Sequence, residues 1–163
     1  METYSTIVSK RDTRQYTDRP ISDESLRRIL QAGRMAGSSK NSQPCRFIVV
    51  RDAERKKELS ACGQFAAYIP SAPVVIVVAM SPDGRDFDAG RATQNMMLAA
   101  WAEGITSCPV TLHDAACARR VLGLPEGHWV AIAIPFGYPP EGALQTLGQR
   151  RLPLENLVHY ERW

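Results

Sequence analysis

Val74-Val75-Ile76-Val77-Val78-Ala79-Met80 follows Pro73 as an unbroken run of seven apolar residues, a length that no apolar run in the chain exceeds. β-Branched residues dominate it and no polar residue interrupts it. It therefore reads as a strand buried on both faces at the centre of a sheet. Seven residues cannot cross a bilayer, which needs a helix of roughly 20. Downstream, Ser81 to Arg85 reads as a turn, and Asp88 to Glu103 as a long apolar helix closed by Gly104 at its C′ position. A strand over Ile105–Val110, a helix over Asp114–Leu122 and a strand over Trp129–Phe136 follow, ending at Gly137-Tyr138-Pro139-Pro140.

Upstream, a short opening helix ends near Lys10, and Arg11 to Ile21 forms an extended connector. Ser22 is a good N-cap, with Asp23 and Glu24 in the first turn, where the helix dipole favours them. Leu26, Ile29, Leu30 and Gly33 then recur at helical spacing and carry a helix to about Met35. Gly37 to Pro44 is a polar loop, Arg46 to Val50 a strand, and Ala53 to Ala61 a charged helix. Helices and strands alternate, so a sheet covered by helices is expected. The last 25 residues, 139–163, carry Leu152, Leu154, Leu157, Val158, Tyr160 and Trp163 without clean periodicity. Such an arm must bury itself on its own domain or on a partner subunit, and the irregular spacing favours the partner.

The chain has 163 residues, the size of one domain, with 44% hydrophobic and 23% charged residues. These values exclude disordered, collagenous and coiled-coil classes. The opening Met1 to Ser5 is acidic and polar rather than basic and apolar, so a cytoplasmic location is expected. A net charge of +3 is too mild to argue for nucleic acid. Arginine supplies 16 of the 20 positive charges, with clusters at Lys10-Arg11, Arg14 and Arg150-Arg151. Those clusters are either a solvated surface or a site for an anionic ligand such as phosphate. Cys45, Cys62, Cys108 and Cys117 show neither a CxxC nor metal-type spacing with the histidines, and reduced thiols are expected.

Signatures of hydrolases, metalloproteases and nucleotide-binding loops are missing, and His113, His128 and His159 sit far apart as structural or exposed residues. Chemistry that resides in a bound cofactor fits better than a side-chain nucleophile. Four polar segments interrupt the packable pattern: Lys10 to Arg14, Ser38 to Gln43, Thr106 to His113, and Arg150-Arg151. Together they could clamp a phosphate with arginine and hold a heterocycle with amides and backbone N–H groups, as a flavin mononucleotide site requires.

Those same segments resemble the FMN-dependent nitroreductase family, in order and over nearly the whole chain. Lys10-Arg11-Asp12-Thr13-Arg14-Gln15-Tyr16 is similar to the family opening R-R-(S/D)-x-R-x-F. Ala36 to Phe47 resembles P-S-x-x-N-x-Q-P-W-x-F, and Ala92 to Ala100 resembles A-A-Q-N-L-L-L-A-A. Gly104 to Cys108 resembles G-L-G-S-C, and Leu122 to Gly127 with Gly137-Tyr138-Pro139 resembles L-G-L-P-E-G…G-Y-P. Arg150 to Glu155 resembles the closing R-R-x-P-L-E-E.

The resemblance implies an α+β fold with a mixed sheet flanked by helices, and a homodimer with two FMN sites at its interface. By motif position, Lys10, Arg11, Asp12 and Arg14 with Arg150 and Arg151 would line the phosphate and pyrimidine edge. Ser38, Ser39, Asn41 and Gln43 would reach the flavin of the neighbouring subunit. Thr111 and Leu112 would offer backbone N–H groups near flavin N5, and Gln64 a contact to the pyrimidine edge. Arg14 would stabilise negative charge on the reduced ring. The implied cycle is ping-pong, from NADH or NADPH through FMN to a nitroaromatic, quinone or similar small-molecule acceptor. Two alternatives stay open: specialised flavin chemistry such as reduced-flavin cleavage, and a flavin-binding protein with little turnover.

The chain departs from the family pattern in four places. Asp12 stands where many members have serine and should pair with Arg14 or Arg11. Cys45 replaces the usual tryptophan, and Thr111-Leu112 replaces a glycine-containing pair. Only seven residues, Ser81 to Phe87, separate the central strand from the expected start of the next helix. Many relatives insert helices there, so an open flavin face is expected.

Overall fold

The computed structural model describes residues 2–144 and 151–163. The elements are α1 (Thr3–Ser9), α2 (Asp23–Arg34), β1 (Cys45–Val50), α3 (Ala53–Ala61), β2 (Val74–Met80), α4 (Asp86–Ala102), β3 (Thr106–Ser107), α5 (Ala115–Leu122) and β4 (Trp129–Gly137). Local chemistry accounts for the helix ends. The Ser22 hydroxyl accepts from the Ser25 N–H, the Asp52 carboxylate from Arg55 N–H, and the Asp114 carboxylate from Cys117 N–H, so three helices start on side-chain caps. Gly104, at φ +75°, and Gly123, at φ +63°, take the left-handed turns that follow α4 and α5.

The sheet order is β1-β2-β4-β3. All seven residues of β2 are buried, as its sequence predicts. Val74, Ile76, Val78 and Met80 face Leu26 and Ile29 of α2 and Ala89, Met96, Met97 and Ala100 of α4. Val75 and Val77 face Leu59 of α3, Ile69, Leu112 and Ala118 of α5 on the other side. The period-2 geometry of one strand thus supplies both cores.

Three expectations need correction. The named strands pair antiparallel throughout, so the sheet is not mixed; the one parallel pairing among the described residues is an isolated bridge between Asp12 and Ser107. Each connection goes out and back. Val50, at the end of β1, lies opposite Val75, and Met80, at the end of β2, lies opposite Trp129, so the chain returns to the edge it left. The strand expected over Ile105–Val110 shrinks to Thr106–Ser107, because Pro109 has no N–H for the ladder; Val110 rejoins by a single bridge to Ala133. Finally, Cys62 and Cys117 are not free thiols but a disulfide, with their Cα atoms 5.5 Å apart. Packing of α3 against α5 brings together cysteines 55 residues apart, a proximity that no sequence spacing shows. Cys45 and Cys108 stay free.

The connector after α1 is fastened to the end of β4. Thr17 N–H donates to Tyr138 O at 2.8 Å, the Tyr16 hydroxyl donates to Pro135 O at 3.3 Å, and Arg19 stacks on the Tyr138 ring at 3.9 Å. This anchoring fixes where residues 10–14 lie. The arm, by contrast, stays exposed over 151–163, with Leu154 at 72% and Trp163 at 100% exposure. Among the described residues, no helix is long and apolar enough to cross a membrane.

Candidate functional site

Two adjoining clefts hold much of the polar set. The first, about 750 Å³, is lined by Lys10, Arg11 and Asp12 from the connector and Arg151 from the arm, more than a hundred residues away. Its floor is one face of α4, where Gly90, Thr93, Gln94 and Met97 recur at helical spacing. Thr93 is 9% exposed, and its buried hydroxyl has no hydrogen-bond partner among the described residues. Gly90 opens the floor further, since a Cβ there would meet nothing within 4 Å.

Asp12 does not pair with either expected arginine. It forms an ion pair with Lys10. Arg11 turns back to donate to the carbonyls of Val8 and Lys10, and Arg14 lies over an aromatic ring, so Lys10 is the cation within reach. The charge of Lys10 is thus matched inside the cleft, while Arg11 and Arg151 lack a carboxylate partner among the ion pairs of the described residues.

The second cleft, about 470 Å³, is lined by Arg14, Phe65, Tyr68, Pro109, Val110, Thr111 and His113, and shares Pro109 with the first. Arg14 sits 5.6 Å from the centroid of the Tyr68 ring. Tyr68 donates its hydroxyl to Cys108 O at 3.2 Å and Pro109 O at 3.3 Å. Burial pushes the Tyr68 phenol well above its ordinary range, so it remains a donor at neutral pH. The neighbouring Cys108 thiol and Tyr68 phenol likewise raise Arg14, against the effect of its partial burial. Gln64 reaches the same rim through its backbone N–H, which donates to His113 Nδ1 at 3.3 Å. The Leu112 side chain is buried in the core, while Thr111 is exposed toward the cleft.

The remaining expected residues lie elsewhere. Ser38 and Gln43 line a separate cleft with Arg34, Cys45, Arg46 and Asp88. The loop is held by Gln43 N–H donating to Ser38 Oγ at 2.9 Å and by left-handed backbone at Lys40, Asn41 and Gln43. Ser38, Ser39, Asn41 and Gln43 line neither the cleft of Lys10 nor that of Arg14. Arg150 lies outside the described residues. Sequence reasoning missed Tyr68, Thr93 and Phe65. Thr93 left one trace, a hydroxyl in an alanine-rich helix where the family motif has alanine.

The nitroreductase family model matches residues 7–79 and 64–138. The chain belongs to the nitroreductase family. It is 35% identical to an Archaeoglobus fulgidus protein provisionally named as an NADH dehydrogenase/NAD(P)H nitroreductase, over 96% of each chain. It superposes with a TM-score of 0.88 and 32% identity on a Desulfovibrio desulfuricans protein, provisionally described as a nitroreductase and solved in complex with FMN. That match covers 100% of this chain and 98% of the other. An NADPH:FMN oxidoreductase of Vibrio harveyi, solved with NAD+, gives a TM-score of 0.88 at 29% identity, with 99% of this chain but 77% of the other covered. This nitroreductase-family member therefore shares its compact length with the first two and is shorter than the third. Five residues, Ser81–Arg85, join β2 to α4.

Proposed function

We propose that this nitroreductase-family flavin oxidoreductase binds FMN across the two adjoining clefts and uses NAD(P)H to reduce an electron-poor small molecule such as a nitroaromatic or quinone. One observation carries the reading: Lys10, Arg11 and Arg151 converge on a cleft floored by α4, beside a second cleft that presents Arg14. The residues fit the cofactor. An anionic phosphate suits the cationic cleft, and a flat ring system suits the cleft walled by Arg14, Tyr68 and Phe65. When bound, FMN supplies the redox chemistry, accepting hydride from a nicotinamide and passing electrons to the acceptor.

The chain's own residues bind and polarise. Arg11 and Arg151 hold the phosphate. Arg14, already positioned on Tyr68, offers a fixed positive charge where negative charge develops, without reorganisation. Backbone N–H groups of Thr111 and Leu112 donate to the ring, and Gln64 borders its polar edge. In this reading the working unit is a homodimer. Ser38, Ser39, Asn41 and Gln43 line neither the Lys10 cleft nor the Arg14 cleft of their own chain, which leaves them for the partner's cofactor. The exposed arm supports the same assembly, because its apolar side chains find no cover on their own domain.

Anaerobic mixing of the FMN-loaded protein with NADH and with NADPH tests the reading. At least one should bleach the flavin absorbance rapidly, and a nitroaromatic should restore it. If neither nucleotide bleaches bound FMN, the reductase reading fails and that of a flavin-binding protein replaces it.

A further inference from the structure

His113 is exposed, lines the Arg14 cleft and is nevertheless held in place by its neighbours. Its Nδ1 accepts the Gln64 N–H at 3.3 Å, and its ring meets the exposed Phe65 edge to face, with centroids 5.9 Å apart. The next residue is laced to the same loop, since Asp114 N–H donates to Cys62 O at 2.9 Å. Gly63 permits this closeness, because a Cβ there would lie 2.9 Å from Thr111 O. With Nδ1 accepting, the neutral ring carries its proton on Nε2. Nε2 makes no hydrogen bond among the described residues, so its N–H is left for a ligand. The other hydroxyls of the cleft differ: that of Tyr68 is tied to Cys108 O and Pro109 O, and that of Thr111 rotates.

We propose that the His113 Nε2–H donates to an oxygen of the electron acceptor, a quinone carbonyl or a nitro group, and is a catalytic residue of the half-reaction that reduces it. This rests on the FMN reading above. That reading gives the Thr111 and Leu112 N–H groups to the flavin, and His113 follows them at the border of the ring on which an acceptor stacks. When a hydride passes to a quinone, an N–H bond of the reduced flavin breaks and an O–H bond forms on one quinone oxygen. The two electrons leave negative charge on the opposite oxygen, and water supplies the proton that completes the hydroquinone. With a nitro group, the O–H bond forms on one oxygen and the charge rests on the other; hydroxide then departs and leaves the nitroso compound. In both, a fixed N–H on the charged oxygen binds more strongly as the charge develops. The nicotinamide carboxamide gains no such charge when NAD(P)H gives up its hydride, so the donor favours one half of the cycle only.

The test uses the full chain loaded with FMN. The oxidised protein has no electrons to give, so nitrobenzene binds it without reacting and flavin absorbance reads its Kd; toluene is the probe without oxygens. His113→Leu should weaken nitrobenzene about fivefold, the scale of one neutral hydrogen bond, and leave toluene unchanged. Once the flavin is reduced, its oxidation by duroquinone, whose fully substituted ring does not add thiols, should slow about tenfold or more, the scale of a bond to developing charge. FMN affinity and the rate of bleaching by NADH or NADPH should match the parent. His113→Gln, which keeps a donor and an acceptor, should recover most of both losses. An unchanged nitrobenzene Kd, an unchanged duroquinone rate, equal weakening of toluene or no recovery with His113→Gln would each overturn the proposal. Weaker FMN binding or slower bleaching in His113→Leu would overturn it too, by making His113 a residue of the cofactor site. If the parent binds no FMN, or neither nucleotide bleaches it, the FMN reading itself falls and takes this proposal with it. A parent that is reduced and reoxidised beside an indifferent His113→Leu overturns this proposal alone.

Discussion

The Arg14 guanidinium lies 5.6 Å from the centre of the Tyr68 ring, and the Tyr68 hydroxyl is tied to the carbonyls of Cys108 and Pro109. The arginine is thus placed by an aromatic platform whose far end is fixed to the backbone between β3 and α5. Such a contact contributes about 0.5–2 kcal/mol, enough to hold one rotamer. Arg14→Ala should weaken FMN binding or slow flavin reduction at least tenfold. Tyr68→Leu, which keeps the charge but removes the platform, should move the same quantity by about three- to tenfold. Tyr68→Leu behaving like the parent in both binding and reduction would show that Arg14 needs no platform.

The Cys62–Cys117 disulfide closes a loop of 55 residues, and the chain-entropy model puts its stabilisation at about 4 kcal/mol. Cys62 caps α3 immediately before Gly63 and Gln64, and its carbonyl accepts from Asp114 N–H at 2.9 Å. The bridge therefore braces the rim of the Arg14 cleft as well as the α3–α5 contact. Cys62→Ala/Cys117→Ala, or reduction of the parent with dithiothreitol, should lower the denaturant midpoint markedly. Coincident unfolding curves with and without reductant would contradict a stabilising bridge.

Much of the fold was legible because local chemistry and tertiary packing agree. The β2 run, the Ser22 cap, the span of α3 and the Gly104 turn all follow from residue type and spacing. Strand direction was not legible, because alternating helices and strands suit both a crossover and an excursion that returns. The disulfide was hidden for the same reason, since only packing brings residues 62 and 117 together. In the site, the clustered arginines were visible as charge, but their partners were not. Asp12 turned to Lys10 once Arg11 and Arg14 were committed elsewhere.

Cys45 is a free, half-buried thiol in the cleft beside Asp88. Burial pushes its pKa up, the Asp88 carboxylate adds to this, and Arg46 opposes it weakly. A raised thiol pKa means less thiolate at neutral pH, so Cys45 should react slowly with iodoacetamide. Its rate should keep climbing with pH beyond the point where a free cysteine peptide levels off. Mass spectrometry of alkylation across a pH series checks this, and a plateau at or below the peptide's pH would refute it.

The arm yields the sharpest test of assembly. Leu152, Leu154, Leu157, Tyr160 and Trp163 are 59–100% exposed on a single chain. Each such side chain contributes about 1.5–3 kcal/mol when fully buried, so a partner that covers even some of them gains several kcal/mol. The parent should therefore scatter light as a dimer. Truncation after Arg151 keeps the cation that lines the first cleft but removes all five side chains. The truncated chain should dissociate to monomers at micromolar concentration and lose FMN affinity, because each site then lacks the Ser38–Gln43 loop of its partner. Loss of dimer with full retention of FMN would separate the two ideas, leaving the arm as an assembly device and placing the whole site within one chain. A truncated chain that stays dimeric would show that the arm's apolar residues are not what holds the subunits together.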